Sequence, residues 1–143
     1  MIRYKRQRND FSCAPLALYN VLKKYGHTIS VEKLGHLMGT DIDGTWMTHF
    51  TEVAKQYFPR RTRREEPRPW TDGRSYLASV MDYSGDHHLV ALVDSTDKAV
   101  YVANWYTTKN KMTHAWIKWE TLYKYWDGYA LRIEGDHGKA NIT

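Results

Sequence analysis

Cysteine is almost missing from this chain: Cys13 is the only one in 143 residues. One thiol excludes an internal disulfide and fits a reducing compartment. No zinc-finger spacing is present. No stretch of the chain approaches membrane-spanning length. The basic start, Met1-Ile2-Arg3-Tyr4-Lys5-Arg6, lacks the apolar core of a signal peptide, so a cytoplasmic location is expected. There is no internal repeat and no low-complexity tract. The net charge of +5 is modest. It gathers at Arg3, Lys5, Arg6 and Arg8 and again at Arg60, Arg61, Arg63 and Arg64. Such clusters read first as solvated surface and polar loop. No helix-turn-helix pattern accompanies them, so nucleic acid is not the expected partner. Aromatic residues are plentiful, with six Trp and eleven Tyr, suited to a core and to the walls of a groove. The length fits one domain over residues 1–143.

The first part of the sequence reads as helical. Pro15 fits just inside a helix start, where its missing N–H is not needed. The run from Leu16 to Tyr25 follows, and Gly26 supplies the stop. Ser30 is placed to cap a second helix through about Met38, with Glu32 in its first turn. After a turn at residues 39–44, Thr45 is placed to cap a third helix. There Trp46, Phe50, Val53, Ala54 and Tyr57 recur at helical spacing. A charged, proline-containing loop is expected from Pro59 to about Pro69. The second part reads as strands: Ser75–Tyr83, His88–Val93, Ala99–Ala103, a short one near His114–Ile117, and Gly128–Ile133. A short helix is expected from Glu120 to Trp126, and a loose tail from about residue 134. Helices followed by antiparallel strands give an α+β fold, with N-terminal helices packed on a C-terminal antiparallel sheet.

Cys13 lies at the start of the first helix, where unpaired amides and the helix dipole favour negative charge. A thiol there ionises more easily and becomes a nucleophile; the competing reading is a small buried hydrophobe. A thiol nucleophile needs a base and a group that orients it. His88 opens a buried-type strand straight after the Ser84-Gly85-Asp86 turn. His87 is expected on the opposite face, because strand side chains alternate. The next strand ends at Asn104-Trp105, at the same end of the hairpin. Asn104 is therefore positioned to bond the His88 ring, and Trp105 to cover that bond from water. Gln7, six residues before Cys13, suits the remaining task, donating to a developing oxyanion beside the main-chain amide of the nucleophile. Adjacent histidines on a strand diverge, so Asp86-His87-His88 does not read as a metal site, and no cofactor is expected.

These residues resemble the C39-like branch of the papain-fold cysteine peptidases, the bacteriocin-processing type. That family carries a glutamine six residues before its cysteine, then Cys-Gly-Pro-x-Ala-Leu and a helix ending in Tyr-Gly. The chain has Gln7, Cys13-Ala14-Pro15-Leu16-Ala17-Leu18 and Tyr25-Gly26. Gly44-Thr45 resembles the family's Gly-Thr turn. His88-Leu89-Val90-Ala91-Leu92 resembles its His-Phe-Val-Val-Leu strand, Asn104 its third residue, and Trp126-Asp127-Gly128 its closing segment. The likeness runs from about residue 5 to 133. The chain departs from the pattern at Ser12, usually Asp, at Ala14, usually Gly, and at Asn104-Trp105, usually Asp-Pro. The resemblance implies a papain-like fold and a thiol peptidase acting on a peptide or protein. In that reading Cys13, His88, Asn104 and Gln7 carry the chemistry, with small residues such as Gly-Gly before the scissile bond. A deamidase or transglutaminase-like enzyme, or a non-catalytic peptide-binding module, would use the same scaffold.

Overall fold

A computed structural model of the protein describes residues 2–7, 12–59, 62–108 and 111–134. The first helix, α1 (Cys13–Lys24), begins where Leu16 N–H meets the Ser12 carbonyl at 3.1 Å. Its inner face presents Leu18, Val21 and Leu22, all fully buried. Gly26 ends it at a φ of 85°, a conformation open to glycine. In α2 (Val31–Met38) the Ser30 hydroxyl accepts from Lys33 N–H at 3.0 Å, as the sequence predicts. In α3 (Met47–Tyr57) the cap falls one residue later than expected, on Trp46. The Thr45 hydroxyl is engaged instead with that of Thr40. Trp46 accordingly leaves the apolar face and stands 75% exposed, while Phe50, Val53 and Ala54 are buried.

The strands are β1 (Thr62–Arg64), β2 (Ser75–Met81), β3 (His87–Ser95), β4 (Ala99–Thr108), β5 (Lys111–Lys118) and β6 (Trp126–Ile133), with α4 (Trp119–Tyr125) before the last. β1 corrects the expected loop. Its three residues are too short and too charged to show strand alternation, yet they pair with β6 at the sheet edge. Charged side chains are common on such edges, and here Arg63 meets Glu134 at 2.8 Å. β2 ends earlier than expected because Asp82 Oδ1 accepts from the Ser84 and Asp86 amides and forms the turn. The loose tail predicted from about residue 134 falls, from 135 on, outside the described residues.

The six strands form one antiparallel sheet in the order β1-β6-β2-β3-β4-β5. Helices α1–α3 cover one face, over Leu77, Leu89, Ala91, Val93, Leu131 and Ile133. Trp70, Trp119 and Leu122 cover the other, over Tyr76, Val80, Val90, Leu92 and Val102. Burial on both faces explains why β3 reads as an unbroken apolar run. β3 pairs with β2 from His87 onward, but with β4 only from Ala91. The sheet is therefore open on the β4 side at the start of β3. Among the described residues, no helix is long and apolar enough to cross a membrane.

Candidate active site

Cys13 is the first residue of α1 and is half-buried. Burial pushes its thiol pKa up, and the main-chain amides of Leu89, Ala14 and Cys13 itself oppose this only in part. The easily ionised thiol expected at a helix N-terminus is thus corrected: desolvation of the thiolate outweighs the amides that would stabilise it. Ala14, where a glycine is usual, places its methyl in the core with almost no exposure.

His88 is 4% exposed. Its Nε2 lies 2.8 Å from the main-chain carbonyl oxygen of Asn104. A carbonyl only accepts, so Nε2 carries the proton and donates, which leaves Nδ1 of the neutral ring as the acceptor. Burial lowers the His88 pKa, and the Asn104 carbonyl partly offsets this. Asn104 thus meets His88, as the sequence suggests, but through its main chain. The reason is its backbone: φ is 65°, the one positive value among the described non-glycine residues. It falls where the β4–β5 register shifts between Val102 and Trp105. Asparagine tolerates this conformation better than most residues.

The Asn104 side chain points to the N-terminal segment. Its Oδ1 accepts from Gln7 N–H at 2.9 Å and its Nδ2 donates to the Lys5 carbonyl at 3.0 Å. Its main-chain N–H donates to His114 Nδ1 at 3.0 Å, so His114 Nε2–H donates to the Tyr4 carbonyl at 2.9 Å. Buried Asn20 on α1 completes the attachment: Oδ1 accepts from Lys5 N–H and Nδ2 donates to the Lys5 carbonyl. Asn20 and His114 were not singled out in the sequence. A buried-register asparagine amid Leu18, Val21 and Leu22 was the available signal for the first.

A cavity of about 560 Å³ brings Cys13 and His88 together, with Thr45, Trp46, Met47 and Tyr129 among its other walls. His87 lines it too. It alternates with His88 as expected, being mainly exposed, but both sit at the mouth of the open sheet and both reach the cavity. Gln7 lines a smaller neighbouring cavity of about 140 Å³, with His88, Tyr83 and Tyr106. The two cavities adjoin, sharing Asp86, His87 and His88 as walls, so Gln7 lies beside His88. Trp105 is also corrected. It is buried against Tyr125 at 5.7 Å between ring centres, and the ring facing His88 is that of Tyr106, at 6.1 Å. Two further wall residues, Ser79 and Asp127, were missed; a lone serine on an apolar strand and a Trp-Asp-Gly turn gave little sign of them.

The model of the peptidase C39 family matches residues 1–137. The chain belongs to the peptidase C39 family. No curated protein matches it. Among solved structures it is similar to the peptidase domain of Streptococcus ComA, a bifunctional ABC transporter involved in a quorum-sensing pathway. The TM-score is 0.67 and the identity 20%, over 92% of this chain and 99% of that one. It is similar also to a double glycine motif protease from an AMS/PCAT transporter, solved in complex with the leader peptide. There the TM-score is 0.61 and the identity 16%, covering 92% and 89% of the two chains. A C39-like peptidase from Bacillus anthracis gives 0.64 and 13%, over 92% and 94%. At these identities the likeness shows the fold, which is papain-like.

Two outcomes follow from the geometry. Alkylation of Cys13 by iodoacetamide should rise with pH and still be climbing at about pH 8.5, where an ordinary thiol is half ionised. The sign follows from a thiol pKa that is raised. A rate already level near pH 6 would instead reveal a thiolate–imidazolium pair. Second, Asn104→Gly should keep the His88 carbonyl clamp, since glycine adopts positive φ freely. Both variants lose the two side-chain bonds, but only Asn104→Ala adds backbone strain, so it should be less stable than Asn104→Gly by about 1–2 kcal/mol. Urea unfolding of the two variants measures the difference.

Proposed function

We propose that the protein is a cysteine peptidase in which Cys13 attacks the scissile carbonyl and His88 takes the thiol proton. The observation that supports this reading is the presence, in one cavity, of a helix-start thiol and an imidazole whose Nε2–H is tied to a carbonyl. Such a ring has Nδ1 open to receive a proton. Burial raises the thiol and lowers the imidazole, so it favours the uncharged form of each before reaction. The proton then moves to His88 as the carbon–sulfur bond forms, and from His88 to the leaving amine as the peptide bond breaks. Water, deprotonated by the same ring, next hydrolyses the thioester and frees Cys13.

Asn104 serves as the positioning residue for His88 in this scheme. Gln7 is assigned, on its spacing from Cys13, to donate to the oxyanion beside the Cys13 amide. The bond from Asn104 Oδ1 to Gln7 N–H supports this, because it ties Gln7 to the same anchor as the base. The double glycine motif protease bound to a leader peptide suggests small residues before the scissile bond. No metal or cofactor is assigned to the step.

Mass spectrometry of candidate peptides separates the possible chemistries. A peptidase yields two fragments whose masses sum to the substrate plus one water, and a Gln7→Ala variant should make them roughly a hundredfold more slowly. A single product about one mass unit heavier would identify a deamidase. Intact peptide under all conditions, with binding, would leave only a recognition module. Gln7→Ala should leave alkylation of Cys13 unchanged, since that reaction develops no oxyanion.

A further inference from the structure

The wall of the Cys13 cavity carries a charge opposite to that of the molecule. The chain has a net charge of +5, yet the described residues that line the cavity include Asp43, Asp86 and Asp127 and, among them, no lysine or arginine. Asp43 and Asp86 belong to turns. Asp127 is different: its side chain is only 11% exposed, and it is fixed in place. Its Oδ1 accepts from Tyr129 N–H at 3.2 Å, and its Oδ2 accepts from the Ser79 hydroxyl and from His87 Nδ1–H. The first two donors come from the sheet itself and set the carboxylate rigidly. The third comes from a side chain that is 73% exposed, so it can be displaced without unpacking the core. Arg64 stacks on the Tyr129 ring at 4.4 Å but does not line the cavity. Among the described residues, no three His, Cys, Asp or Glu side chains are grouped to hold a metal ion.

From this geometry we infer that Asp127 is a specificity residue: it receives a cationic side chain, arginine or lysine, of a peptide lying in the Cys13 cavity, with His87 as the group displaced. The inference rests on the peptidase reading only for the place of the peptide. A carboxylate accepts at about four lone-pair positions, and Ser79 and Tyr129 fill two. An arginine taking the His87 position gains charge-assisted bonds in a poorly solvated site, where they are strongest. A cavity of about 560 Å³ also has room for a long side chain, well beyond what a pair of glycines fills.

The test reads binding, so that it does not depend on turnover. A series of otherwise neutral fluorescent peptides carries one arginine, walked through successive positions, each matched by a citrulline peptide of the same shape without the charge. Affinities are measured by anisotropy with the Cys13→Ala protein, to 1 mM. At one position the arginine peptide should bind about tenfold or more tightly than its citrulline partner. That ratio should fall to near one when Asp127→Asn is added, and should widen when His87→Ala is added instead. Equal binding of every pair, no binding at all, or a ratio unmoved by Asp127→Asn overturns the inference. If Asp127→Asn does not fold, judged by its circular dichroism, His87→Ala decides: an unchanged ratio overturns it. The protein with Cys13 intact is scored separately for cleavage. Charge-selective binding without cleavage would sink the peptidase reading and leave Asp127 as a specificity residue.

Discussion

The site depends on one residue in an uncommon conformation. Asn104, at positive φ within a strand, turns its carbonyl to His88 and its side chain to the N-terminal segment. It joins three parts of the chain that are distant in sequence: residues 5–7, the start of β3 and, through His114, β5. A regular strand residue would spend its carbonyl on the neighbouring strand. Here the register shift frees that carbonyl, and the histidine uses it. Strained backbone of this kind persists only when the surroundings over-determine it. The four bonds to Gln7, Lys5, His114 and His88 are that over-determination.

The electrostatics follow from where the elements meet. Cys13 at the start of α1 shares a cavity with His88 and Leu89 at the start of β3, so the thiol lies where helix and sheet meet. Burial then favours the uncharged forms of both groups. Desolvation thus works against a charged thiolate and a charged imidazolium alike. The reduced exposure that holds the thiol in reserve also strengthens hydrogen bonds made within the cavity.

Much of the fold was legible because its signals are local. The Pro15 start, the Ser30 cap and the apolar run of β3 each act within a few residues. That Cys13 and His88 line one cavity was legible too, since both fall at element ends that meet in this fold. Thr45 misled because its hydroxyl had a competing partner in Thr40. Thr62–Arg64 showed no strand pattern because an edge strand is specified by its partner, not by alternation. The main-chain role of Asn104 depends on a register shift, which side-chain periodicity does not record. Asp127 was invisible for a related reason: its importance comes from Ser79 and His87, which meet it only across the folded sheet.

The most direct measurement of the central claim, that His88 is the base serving Cys13, uses a peptidyl acyloxymethyl ketone and intact mass. The native protein should take up one adduct, on Cys13. His88→Ala should label at least a hundredfold more slowly, the usual contribution of a positioned base, while His87→Ala labels at close to the native rate. Undiminished labelling of His88→Ala, or a collapse in His87→Ala alone, would contradict the account and move the base to the neighbouring histidine or to none.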